Sequence, residues 1–161
     1  MILEKLKKRF PAEVTQAFEE KGEGVIVIRQ DQSHEILRFL RDDPDLRFEF
    51  LMDLCGSDRS RLGETPRFEV VCHLYSLIHN HRLRVRVKIP EEDPRLASVV
   101  DLWRAADWME RECWEMFGIV FEGHPSLKHL LLFDGFEGYP LRKDYPIEKR
   151  QKIPVPEENL S

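Results

Sequence analysis

Signatures of nucleotide, hydrolytic and metal chemistry are missing from these 161 residues. There is no G-x-x-x-x-G-K-[ST] loop, no G-x-G-x-x-G after a strand, no H-E-x-x-H, no G-x-S-x-G and no EF-hand loop. Together these absences argue against a nucleotide-dependent or hydrolytic enzyme. Cysteine is sparse. Cys55, Cys72 and Cys113 are odd in number and far apart, which excludes a disulfide framework and a zinc knuckle. All three lie in apolar patterns and read as small buried hydrophobes in a reducing compartment. No apolar run approaches the roughly 20 residues that span a bilayer, and the basic start, MILEKLKKRF, lacks the apolar centre of a signal peptide. Work at a membrane is therefore expected to go through partners. A basic excess is also lacking: Lys and Arg number 25 against 30 Asp and Glu, a net charge of -5, which argues against nucleic acid as a partner.

What is present suits one domain with a self-sufficient core. Residues 2–20 predict a first helix, with Ile2, Leu3, Leu6 and Phe10 on one side. Pro11 interrupts it, and Val14, Ala17 and Phe18 resume the stripe. Val25 to Ile28 is a β-branched run and predicts a buried strand. Ser33 is expected to cap a helix that buries Ile36, Leu37 and Leu40 and stops at Asp42-Asp43-Pro44. Residues 46–54 predict a second strand, followed by a polar loop through Gly56-Ser57-Asp58 and residues 62–66. Residues 68–78 and 83–89 predict a hairpin turned at His79-Asn80-His81, with Arg82, Arg84, Arg86 and Lys88 on a solvated face. Asp93-Pro94 then starts a helical stripe from Val99 to Met116. A capping box at Asp107-Trp108-Met109-Glu110 predicts that this stripe is two helices broken near Ala106. Asp107 and Glu115 are each expected to pair with Arg111 on the outer face, and Gly118 is expected to cap the end. The fold class expected is α+β: a small mixed or antiparallel sheet of about four strands, packed helices and a long extended C-terminal arm. The compact domain is placed at 1–118 and the arm at 119–161.

The arm repeats itself, as FEGHP at 121–125 and FEGYP at 136–140. Phe121 and Phe136 read as apolar anchors, and Gly123 and Gly138 as residues at φ values that others resist. His124 and Tyr139, each before a proline, are pushed towards extended backbone. The arm is too rich in aromatics and leucine for ordinary disorder, so it needs a surface to lie on. Possible ligands are His79-x-His81, His124 with His129, and Cys72-His73, but none has the spacing of a metal site. Glu110, Glu112 and Glu115 read as charge on a solvated helix face, although Glu112 and Glu115 could form an acid/base pair. Arg142-Lys143-Asp144, between Tyr139 and Tyr145, reads as an electrostatic anchor to a partner.

The run Glu110-Arg111-Glu112, Met116-Phe117-Gly118-Ile119 and Phe121-Glu122-Gly123-His124-Pro125, then Lys128 and Leu130-Leu131, resembles a known signature. It is that of the C subunit (30-kDa subunit) of NADH:quinone oxidoreductase, respiratory complex I. Glu137 to Pro146 and Trp103 to Trp108 resemble the same family. Two departures are Cys113-Trp114-Glu115, where an aliphatic residue, an aromatic and Asp are common, and Tyr139, where His is common. The resemblance implies a structural subunit of the hydrophilic arm, lying against the large D (49-kDa-type) subunit of the quinone module. It implies a peripheral position on the cytoplasmic side of the inner (plasma) membrane, with no cofactor, metal or catalytic residue in this chain. FMN, iron-sulfur clusters, NADH and quinone would belong to the rest of the complex, which couples electron transfer to proton translocation. It implies an interface formed by Glu110, Arg111, Glu112, Phe117, Gly118, Phe121, Gly123, His124, Pro125, Phe136, Gly138, Tyr139, Pro140, Arg142, Lys143, Asp144, Tyr145 and Pro146. The alternative is the equivalent subunit of a membrane-bound [NiFe] hydrogenase or formate hydrogenlyase-type complex. A third reading is a free-standing enzyme using His79, His81, Glu112 and Glu115.

Overall fold

A computed structural model describes residues 2–154. Helix α1 (Ile2–Arg9) leads into β1 (Val14–Glu20), β2 (Glu23–Arg29) and α2 (Ser33–Asp42). Then come β3 (Phe50–Asp58), β4 (Phe68–Ser76), β5 (His81–Ile89), β6 (Arg95–Ala97), α3 (Ala106–Phe117) and β7 (Val120–Glu122). The main sheet runs β1-β2-β5-β4-β3, with β2 and β5 parallel and the other neighbours antiparallel. The α+β class with a mixed sheet is as expected.

The fifth strand is a correction, because residues 14–20 are β1 and not the second half of a helix. Pro11 ends α1, and Val14-Thr15 is β-branched. Lys21 (φ 52°) and Gly22 (φ 81°) form a two-residue turn that folds β1 back on β2. The predicted 68–89 hairpin forms, pairing Ser76 with His81 and Phe68 with Ile89. Its alternation places Leu83, Val85, Val87 and Ile89 against Val70, Cys72 and Leu74, all buried. Leu6, Ile36, Leu37, Leu40 and Phe117 join the same core. Each such side chain contributes about 1.5–3 kcal/mol by leaving water. The basic face of β5 is an ion-pair ladder rather than a free charge run. Arg84 pairs with Glu20, Arg86 with Glu69, and Lys88 with Glu64 and Glu69.

Strand β3 begins and ends four residues later than the predicted 46–54. Gly56 and buried Asp58, expected in a loop, lie within it. Gly56 suits this place because Phe117 and Cys113 of α3 pack onto its bare face. Cys72 and Cys113 are buried as expected, but Cys55 is exposed. It sits on an edge strand, pointing away from the face that α3 covers.

The first of the two predicted α3 helices does not form. Arg95–Ala97 is a strand parallel to β7, and residues 99–105 are turns. The capping box is absent as well. Ala105 is the N-cap, without a side-chain bond, and Glu110 instead receives the Val99 amide and the Ser98 hydroxyl, both at 2.7 Å. That carboxyl fastens the turn to α3, so Val99, Leu102 and Trp103 are buried as loop and Ala106 as the start of the helix. Ser33 does not cap α2 either; Gln32 is the N-cap and makes no side-chain bond there. Gly118 does cap α3, at φ 75°. Ile119 and Phe121 remain in the core, and β7 stays paired to β6. No helix of the described residues is long and apolar enough to cross a membrane.

Candidate partner-binding arm

One face of α3 organises the arm. Asp107, Arg111 and Glu115 are four residues apart and so share a face. They do not pair with one another as expected: Arg111 and Glu115 hold main chain from residues 128–132, and Asp107 meets the His124 side chain. The His124 side chain is completely buried. The Ser126 amide donates to its Nδ1, so its ring proton sits on Nε2, which donates to the Asp107 carbonyl at 3.0 Å. Arg111 donates to the carbonyls of Lys128 (2.9 Å) and His129 (2.7 Å). The Glu115 carboxylate receives the amides of Leu130 (3.1 Å), Leu131 (2.9 Å) and Leu132 (3.1 Å). Burial alone would raise the Glu115 carboxyl, but these three amides and His129 outweigh it and hold it below the usual range. Glu110 and Glu115 are thus buried structural groups, not charge on a solvated face. Glu112 is exposed.

A second anchorage holds residues 141–144. The Leu141 amide donates to Met116 O at 3.2 Å. Arg142 donates to Phe117 O at 2.6 Å, and its guanidinium lies over Phe68 (4.9 Å) and Tyr139 (4.4 Å). Gly118 makes room for it, since a Cβ there would lie 2.6 Å from Arg142 and 2.7 Å from Tyr139. The Lys143 amide donates to Asp58 at 2.9 Å, Arg61 donates to Lys143 O at 3.2 Å, and Asp144 pairs with Arg67 at 3.0 Å. Arg142-Lys143-Asp144 was expected to grip a partner. In this structure its polar contacts reach the chain's own body, although Asp144 stays 64% exposed. Burial would raise the Asp58 carboxyl, but donors from Arg67, Lys143 and Ser60 hold it well below the usual range.

The two FEG copies differ. Phe121 is buried in the core, whereas Phe136 is half-buried against Phe133 and Tyr145. Gly123 (φ 82°) and Gly138 (φ 88°) both occupy the left-handed region, as expected. Pro125 and Pro146 are exposed and Pro140 is half-buried. Sequence reading missed Asp58, Arg61 and Arg67. The available signal was an Asp and an Arg flanking one loop between two strands. His79 and His81 do not converge on an ion; their Nε2 atoms meet the carbonyls of Pro44 and Leu46. Among the described residues, no three His, Cys, Asp or Glu are grouped to hold a metal.

Glu110 gives a pH prediction. Burial pushes its carboxyl up to about 7, against the pull of Val99 and Ser98 and with help from Asp107 and Asp101. An unfolded glutamate titrates near about 4.3, so between the two values the folded chain binds more protons, and its stability falls as pH rises. The fall is on the order of 3 kcal/mol, complete above about pH 7. Urea unfolding of Glu110→Gln between about pH 5 and 8 should lack this slope; equal slopes in the two chains would refute it.

Comparison with known proteins fits this arrangement to a family. Residues 26–151 match the family model described as respiratory-chain NADH dehydrogenase, 30 Kd subunit. The C subunit of NADH-quinone oxidoreductase from Ralstonia nicotianae is 48% identical over 147 residues, 88% of this chain and 74% of that protein. Its counterpart from a Roseiflexus species is 43% identical over 146 residues, 91% of this chain and 83% of that one. Among solved structures, the trypsin-resistant fragment (1-134) of Nqo5 is 36% identical with a TM-score of 0.68, covering 79% of this chain and 100% of that one. A chain in the membrane-bound sulfane sulfur reductase, an archaeal respiratory membrane complex, is 21% identical with a TM-score of 0.74, covering 91% and 85%, a likeness of fold alone. The signature that resembled the 30-kDa subunit thus sits where α3 and the arm meet, and the chain belongs to the 30 Kd subunit family of respiratory-chain NADH dehydrogenase, whose curated relatives are named as the C subunit of NADH-quinone oxidoreductase.

Proposed function

We propose that this chain is a non-catalytic structural subunit of an NADH:quinone oxidoreductase. In this reading it sits in the hydrophilic arm, on the cytoplasmic side of the membrane, and binds the large D-type subunit of the quinone module. It keeps that module in register while electrons pass from NADH to quinone and drive proton translocation. The chain itself binds no FMN, iron-sulfur cluster, NADH or quinone; those belong to its neighbours.

One observation carries the reading. Backbone groups of residues 128–132 and 141–143 are bonded inward to the body while apolar side chains of the arm face out: Leu131 is 63% exposed, Leu141 51% and Ile147 99%. A surface of this kind suits burial against another protein. The exposed signature residues Glu112, Gly123, Pro125, Gly138, Tyr139, Lys143, Asp144 and Pro146 would meet the partner directly. Glu110, Phe117 and Phe121 are buried and would act by shaping the surface. The names of the relatives support the NADH-linked assignment over the hydrogenase one. The test is recovery of the D-type subunit with the tagged full chain from native membranes. Leu131→Asp with Ile147→Asp should abolish that recovery without unfolding the chain, because both side chains already face solvent.

A further inference from the structure

Residues 58–67 and 141–145 are distant in sequence, yet they form one charged junction. Asp58 ends β3, and its side chain is fully buried. Arg67 precedes β4 and holds Asp58 through two bonds, Nε to Oδ1 at 3.2 Å and Nη2 to Oδ2 at 2.7 Å. Three acceptors share this one guanidinium: Asp58, Glu91 at 2.5 Å and Asp144 at 3.0 Å. Only Asp144 belongs to the arm. Asp58 in turn receives two backbone amides, Ser60 from its own loop and Lys143 from the arm. Arg61 closes the junction by donating to Lys143 O. Lys143 is therefore held at both its N–H and its C=O, much as a residue in a strand is held, although its partners are side chains.

The geometry points to an intramolecular latch: Asp58, Arg61 and Arg67 form a receptor for the backbone of Lys143 and the carboxylate of Asp144, and dock the arm in cis before any partner arrives. This differs from an extended tail that orders only on a partner's surface. Such a tail has its ordering entropy to lose at the moment of binding. A latched arm has lost that freedom already. The stretch from Gly123 to Pro140 is then tied at both ends, by β7 and by the junction, with Glu115 holding its middle. Loop closure of this kind limits what the segment between can explore. A partner would meet a folded ridge, a consequence that alone rests on the partner-binding reading.

The receptor is built for this load. Arg67 stacks over Phe68 at 4.8 Å, and the same ring carries Arg142 at 4.9 Å, so one aromatic seats both the receptor and the arm. Removing Asp144 leaves Arg67 with Asp58 and Glu91, and removing Arg61 frees only a carbonyl near solvent. The latch can therefore be loosened without stripping a buried charge of its partner, which would endanger the fold.

The experiment is residue-resolved amide hydrogen exchange on the purified full chain with no partner present. In the wild type, the Leu141 and Lys143 amides should exchange at least about tenfold more slowly than in an unstructured peptide of the same sequence. In the double variant Asp144→Ala with Arg61→Ala they should approach the peptide rate, while the amides of β4 and β5 keep their wild-type protection. Peptide-like exchange at Leu141 and Lys143 in the wild type would overturn the latch. So would full protection of both in the double variant. If β4 and β5 lose protection as well, Asp144→Asn alone, which keeps the shape and removes the charge, replaces the double variant, and unchanged Lys143 exchange there overturns the proposal. None of these outcomes depends on whether the chain recovers a D-type subunit.

Discussion

Replacing Glu115 with alanine should cost the folded chain about 3–5 kcal/mol and release residues 130–132 from α3. The carboxylate is buried and is the shared acceptor of three successive amides, Leu130, Leu131 and Leu132. A buried donor left without an acceptor costs roughly 1–3 kcal/mol, and three left together do not add fully because the loop can move towards water. Charge is part of the effect, since bonds to an ionised group are about twice as strong as neutral ones. Glu115→Gln keeps one acceptor oxygen and turns an NH2 towards the amides, so it should recover less than half of the loss. Urea unfolding of the two variants checks the size. A change below about 1 kcal/mol for Glu115→Ala would mean that solvent or another side chain satisfies these amides.

Gly56→Val is expected to be as damaging, for a steric reason. A Cβ at Gly56 would fall 2.5 Å from Phe117 Cδ2 and 2.9 Å from Cys113 Sγ. Both neighbours are buried and belong to α3, so relief requires the helix to lift from β3. Overpacking of this severity costs about 3 kcal/mol or more, roughly 10 °C in the melting temperature of a domain this size. The companion change Phe117→Ala should restore part of the loss by vacating the space, although Phe117→Ala alone destabilises. Thermal melts of the single and double variants decide the matter. If adding Phe117→Ala to Gly56→Val only lowers stability further, the proposed clash is wrong.

Much of the sheet was legible because period-two alternation has few competing explanations. Leu83, Val85, Val87 and Ile89 with basic residues between them could hardly be anything but a half-buried strand. The arm glycines were legible for a similar reason, since Phe-Glu-Gly before a proline points to a turn. The errors lie where local pattern and long-range contact conflict. Val14, Ala17 and Phe18 fit a helical spacing, but pairing with β2 decided the matter. Asp107 to Glu110 fits a capping box, but Ser98 and Val99 claimed Glu110. No window of sequence contains that competition. The arm shows the same limit most clearly. Asp107, Arg111 and Glu115 have the spacing of helix-surface ion pairs, and Arg142-Lys143-Asp144 has the composition of an interface. Which partner each takes depends on how the chain returns over α3, and periodicity carries no signal for a side chain bonding to distant main chain. The family signature residues lie along this junction of helix and arm.

The most direct measurement of the central claim is recovery from native membranes. The full chain, tagged and expressed at its natural level, is captured from gently solubilised membranes and its companions are identified by mass. Stoichiometric recovery of a large D-type quinone-module subunit and of NADH:quinone oxidoreductase activity is expected, both lost in Leu131→Asp with Ile147→Asp while the variant stays folded. Capture of the wild-type chain without that subunit, or undiminished capture by the variant, would contradict it.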